Sequence, residues 1–86
     1  MQTDTATNKA LQSRLRKARG QITGILAMIE QERDCADVIT QLAAVSRALD
    51  RAGLLMLTAG LGQCLAAGAD GEVERIRLER LLLSLR

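Results

Sequence analysis

The sequence predicts an all-α fold, and three observations carry that expectation. The 86 residues include no proline and no aromatic residue, and 48% of them are apolar, chiefly Leu, Ala, Ile, Val and Met. Apolar residues recur at three- and four-residue steps over long stretches, the period of a helix that buries one stripe. The two-residue alternation of a half-buried strand is not seen.

The first stripe runs through Leu11, Leu15, Ala18, Ile22, Ile25, Leu26 and Ile29, which predicts a helix over residues 7–32. Thr7 or Asn8 is expected to cap its start. Gly20 and Gly24 each cost ~1 kcal/mol relative to alanine inside a helix, so they point to close packing there. The break falls in QERD, residues 31–34. A second stripe through Val38, Ile39, Leu42, Val45, Leu49, Ala52, Leu55 and Met56 predicts a long helix over 35–67. GADG, residues 68–71, reads as the turn that ends it, with Asp70 able to cap the next helix. Gly53, Gly60 and Gly62 make a local bend in the second half a fair expectation. A third helix is expected over 72–86. Its Val73, Ile76, Leu81, Leu82, Leu83 and Leu85 spread over too broad a surface for one intramolecular face. Helices this long cannot cover one another within one small chain, so a symmetric helical oligomer is expected.

Length and composition bound the function. A single domain over 1–86 is the expectation, and a core of that size is marginal without oligomerisation, metal or disulfides. The N-terminus has no basic-then-apolar signal pattern, and no uninterrupted apolar run of roughly 20 residues is evident, so a cytoplasmic, non-membrane protein is expected. Without aromatic residues there are no stacking platforms for single-stranded nucleic acid, whereas duplex DNA remains open. The net charge of +2 is unevenly distributed. Lys9, Arg14, Arg16, Lys17 and Arg19 form a stretch without acids; Glu30, Glu32, Asp34 and Asp37 then surround only Arg33. Arg47 and Arg51 lie one turn apart on the second helix and extend the basic set. From charge alone these residues equally describe a solvated face. An enzyme has little support. There is no histidine, no Ser/His/Asp set, no phosphate loop and no CxxC, and no cofactor is expected.

The two cysteines, Cys35 and Cys64, pose a geometric problem. In a reducing cytosol they are inert core residues, metal ligands or a redox pair rather than a structural disulfide. On a continuous helix, 29 residues separate them by ~43 Å, which no side chain bridges within one chain. Two copies of the helix packed antiparallel about a two-fold axis near Leu49 and Asp50 would bring Cys35 of one subunit to Cys64 of the other. Two thiolates fall short of a closed structural zinc site. Met28 and Met56 offer soft thioethers, but each fits an apolar stripe and reads as core packing. Two thiolates alone suit linear Cu(I), a disulfide or a polysulfide link.

RLRKARGQITGI (14–25), CADVITQLAAVSRALDRAG (35–53) and the second cysteine at 64 resemble the copper-sensing operon repressor (CsoR) family, which includes nickel, cobalt and formaldehyde sensors. The resemblance covers residues 9–67 and, loosely, the third helix. It implies an antiparallel four-helix-bundle dimer, assembled as a dimer of dimers, that represses operons on double-stranded DNA. It places Arg14 and Arg51 at positions where the family uses arginine on DNA, with Arg16, Lys17, Arg19 and Arg47 beside them; Gln21 also matches a family position. The family's copper sensors carry a histidine four residues before the second cysteine, where this chain has Gly60. Two cysteines without that histidine look like the persulfide-sensing branch (CstR), in which sulfur bridges link the cysteines between subunits. The resemblance thus implies Cys35 and Cys64 as the redox-sensing pair, with a persulfide or polysulfide as effector. The alternative is a Cu(I) response through the same two thiolates.

Overall fold

The computed structural model describes residues 3–85. α1 spans Thr5–Glu30, earlier at both ends than the 7–32 expected from periodicity. Asp4, not Thr7 or Asn8, is the cap: its carboxylate accepts a hydrogen bond from the Thr7 backbone N–H at 2.7 Å. That satisfies one of the otherwise unpaired donors of the first turn. At the other end Glu32 adopts a left-handed φ of 56°. The Arg33 N–H then reaches back to the Met28 carbonyl at 3.0 Å, the six-to-one bond that closes a helix C-terminus.

α2 spans Cys35–Ala67, an unbroken 33 residues in which Gly53, Gly60 and Gly62 interrupt nothing. It returns along α1 as an antiparallel hairpin. Ala18 and Ile25 of α1 are buried, as are Val45, Ala52, Leu57 and Cys64 of α2. The expectation of close packing at Gly20 and Gly24 is not met: a Cβ at either would meet nothing within 4 Å. Close approach occurs instead at Gly53, where a Cβ would lie 3.2 Å from Leu85 Cδ2.

Gly68, with φ 62° and ψ −129°, ends α2 in a conformation that glycine adopts without a Cβ penalty. Gly68–Gly71 forms a 3-10 turn, and α3 spans only Glu72–Leu82 before a second 3-10 turn at Leu83–Leu85. The third helix is therefore shorter than the 72–86 expected, and residue 86 lies outside the described residues. Asp70 makes no capping bond; Gly71 occupies the N-cap position. α3 folds back along the second half of α2, with Leu78 and Leu81 sharing a hollow with Met56, Leu57 and Gly60. The fold is all-helical, two long helices and a short third, with no strand among the described residues.

The chain measures 55 × 25 × 12 Å. Its thinnest dimension is the diameter of one helix, ~10–12 Å, so the helices form a single layer. Leu26, Ile39 and Val73 are 58, 58 and 75% exposed as a result. Residues 52–69 carry no charge, and by length and composition the helical stretch from Cys35 to Leu85 is apolar enough to cross a membrane. The expectation that no such run exists is corrected on that point. A helix that buries its apolar surface against another copy has the same composition.

Candidate nucleic-acid interface and thiol pair

Arg14, Lys17, Ala18 and Gln21 on α1 face Ala44, Arg47, Ala48 and Arg51 on α2 across a groove of about 430 Å³. Each set has the spacing i, i+3, i+4, i+7, which places four side chains on one helix face. Because the helices run antiparallel, Arg14 lies level with Arg51, and Gln21 with Ala44. The three alanines keep the floor low, and the four cations form its walls. Among the described residues, the ion pairs involve Arg33, Arg75 and Arg77, and none of these four cations is neutralised by a carboxylate. Arg14 and Arg51 also border an adjoining hollow with Leu54, Leu55 and Thr58.

The basic stretch of α1 thus divides by helical phase. Arg14 and Lys17 enter the groove; Arg16 and Arg19, about 200° and 140° round the helix from Arg14 at roughly 100° per residue, do not line it. Gln21 sits within the groove, and its Oε1 is buried with no hydrogen-bond partner. Charge counting passes over a neutral amide; the seven-residue step from Arg14 is the signal that locates it.

Cys35 is the first residue of α2 and is exposed, whereas Cys64 is 4% exposed near the far end. The unbroken helix holds them ~43 Å apart, so the structure does not bring the two thiols together within one chain. Cys64 lines a cleft of about 270 Å³ with Gln63, Ala67, Asp70, Gly71 and Glu74. Gly60, one turn before it, is buried. No cluster of three or more His, Cys, Asp or Glu suited to a metal occurs among the described residues. Met28 is half-buried, but Met56 is 46% exposed, so the expected core role of Met56 is not met within the single chain.

The described residues thus form an all-helical chain that carries a groove walled by four cations and two thiols held far apart. Residues 7–84 match the family described as metal-sensitive transcriptional repressor. The chain is 40% identical over 67 residues to the copper-sensing transcriptional repressor RicR of Mycobacterium tuberculosis, covering 70% of each. It is 41% identical over 68 residues to the copper-sensing repressor CsoR of Mycobacterium ulcerans, covering 78% of this chain and 58% of that one. The fold matches the nickel-responsive transcriptional regulator InrS with a TM-score of 0.78 and 30% identity, over 100% of this chain and 98% of that one. The chain belongs to the CsoR/RcnR family of metal-sensitive transcriptional repressors.

Proposed function

We propose that the protein binds duplex operator DNA as a homo-oligomer through the α1–α2 groove. It releases that DNA when an effector acts on Cys35 of one subunit and Cys64 of another. The groove supports the first half: Arg14, Lys17, Arg47 and Arg51 offer unpaired positive charge along two parallel rows. Cations set on DNA phosphates release the counterions condensed there, and binding gains accordingly. Arg16 and Arg19, on the far side of α1, add long-range attraction. The single body of residues 1–86 acts as one domain in the cytoplasm, where its thiols stay reduced.

The absence of any histidine carries the choice of effector. Gly60 stands where the resemblance places the copper sensors' imidazole, leaving two thiolates and no third ligand. Sulfur transfer needs thiols only. One cysteine thiolate attacks the sulfane sulfur of a persulfide donor, becomes a persulfide and expels the donor's thiolate. The second cysteine thiolate then attacks the inner sulfur, forms an inter-subunit disulfide and expels hydrosulfide. The donor's sulfane sulfur is the oxidant and leaves reduced. Longer bridges retain additional sulfane sulfur.

Cu(I) is the second reading, and the names of RicR and CsoR support it more directly than they support sulfur. Two thiolates suffice for linear Cu(I), at lower affinity than a site with an added imidazole. The deciding measurement is intact mass and operator binding for wild type, Cys35→Ser and Cys64→Ser after polysulfide, Cu(I) and peroxide. The sulfur reading expects a covalent dimer, linked by a disulfide or by a longer bridge with added sulfur mass, and DNA release in wild type only. Release by Cu(I), with no sulfur-linked dimer after polysulfide, would establish the copper reading in its place.

A further inference from the structure

Cys64 is covered by its own chain. Gly71 is buried against it, and a Cβ at Gly71 would overlap the Cys64 carbonyl oxygen and come within 2.8 Å of the Cys64 Cα. Backbone meets backbone at this point, an approach only glycine permits. Cys64 shares a cleft with Asp70, Gly71 and Glu74, all from the segment after α2. That segment has a second anchor: Leu85 Cδ1 and Cδ2 would lie 3.3 and 3.2 Å from a Cβ at Gly53, so its end is clamped on α2. Between the anchors, α3 is stiffened by Arg75–Glu79 at 2.7 Å and Arg77–Glu74 at 2.9 Å. Where the segment leaves α2, Gly68 holds a left-handed φ of 62°.

These features describe a stiff strap with a glycine hinge at one end and a leucine clamp at the other. We propose that residues 68–85 form a strap that closes over Cys64, with Gly71 as the seal that sets how readily Cys64 reacts. An effector reaches Sγ only when the strap lifts from Gly71 outward. Atoms added at Sγ oppose its return, so modification of Cys64 and displacement of α3 favour one another. Gly71 is a positioning residue: it acts on the thiol through the backbone it covers. Cys35, exposed at the other end of α2, has no such cover.

The inference rests on the reading of Cys64 as a modified thiol, but its test needs no effector. Wild type is treated with iodoacetamide, and alkylation of each cysteine is followed by peptide mass, with Cys35 as the internal reference. Cys64 is expected to react more slowly than Cys35. In Gly71→Ala the added methyl forces the turn off Cys64, and the Cys64 rate rises at least about tenfold while the Cys35 rate holds, as for a local opening with the remaining fold intact. Leu85→Ala loosens the opposite anchor and raises the Cys64 rate in the same direction by a smaller factor; it decides the matter if Gly71→Ala does not fold. Helicity by circular dichroism confirms that each variant is folded. An unchanged Cys64 rate in the folded variants, or wild-type Cys64 alkylated as fast as Cys35, overturns the strap. A faster Cys64 in variants whose DNA binding ignores both polysulfide and Cu(I) leaves the strap standing and removes the sensing reading.

Discussion

At the scale of single residues, helical phase separates side chains that adjacency in the sequence runs together. Arg14, Arg16, Lys17 and Arg19 form one basic word in the sequence, yet only Arg14 and Lys17 line the groove with Arg47 and Arg51. If the groove holds phosphates, Arg14→Ala and Arg51→Ala each reduce the slope of log affinity against log salt by about 1, whereas Arg16→Ala, one step removed, changes it less. Fluorescence anisotropy on an operator duplex over a salt series reads all three. Equal slopes in Arg14→Ala, Arg51→Ala and wild type would remove these two arginines from the interface. Only the family resemblance singled out Arg14 and Arg51 together in the sequence; their level placement follows from the i, i+3, i+4, i+7 sets on helices joined by a short turn. The contact of Gly71 with Cys64 was not legible there, since it depends on how the chain turns after Gly68, and the glycines that did invite a packing argument, Gly20 and Gly24, face open space. A glycine in a helix signals permission for close approach without saying which face is approached.

At the scale of elements, apolar periodicity located the helices and local polar chemistry set their ends. α1 begins at Thr5 because the Asp4 carboxylate accepts from the Thr7 N–H of the opening turn; the apolar stripe that located the helix starts only at Leu11. α3 stops at Leu82, although leucines continue, because the chain tightens into a 3-10 turn that seats Leu85 against Gly53. The α1 cap has a pH signature. Hydrogen bonds from Thr7, through its side chain first and its backbone N–H second, hold the Asp4 carboxyl below the usual aspartate range. A carboxyl lowered in the folded state contributes stability above its unfolded pKa and loses it as pH falls through the folded value. The first turn of α1 is therefore expected to fray only under acid conditions below the ordinary aspartate range, seen as a shift of the Thr7 amide in an NMR titration. Asp4→Asn should abolish that transition, and a transition at or above the ordinary aspartate value would contradict the cap.

At the scale of the whole molecule, one layer of helices about 12 Å thick encloses only a thin core, and the apolar surface it leaves is ordered. On α2, Leu42, Leu49 and Met56 follow one another at seven-residue intervals and are 50, 42 and 46% exposed. Cys35 continues the same series one interval earlier, at the helix start. A seven-residue apolar repeat is the seam along which two helices pack side by side. The midpoint between Cys35 and Cys64 falls between Leu49 and Asp50, so antiparallel pairing on this seam sets the two-fold axis there and carries each Cys35 to the neighbouring Cys64. The charge-free stretch 52–69, which passes for a membrane span by composition, is then an interface. A soluble oligomer, dimer or tetramer, is expected in sedimentation at micromolar concentration. Leu49→Lys places two ammonium groups face to face at the axis, where removal from water and mutual repulsion oppose assembly together. Association should weaken by at least about tenfold, since roughly 1.4 kcal/mol is enough for that and an unpaired buried charge costs more. The same variant should lose the inter-subunit sulfur link while keeping both cysteines. A monodisperse wild-type monomer, or a Leu49→Lys variant that still cross-links between chains, would refute this seam as the route by which the thiols meet.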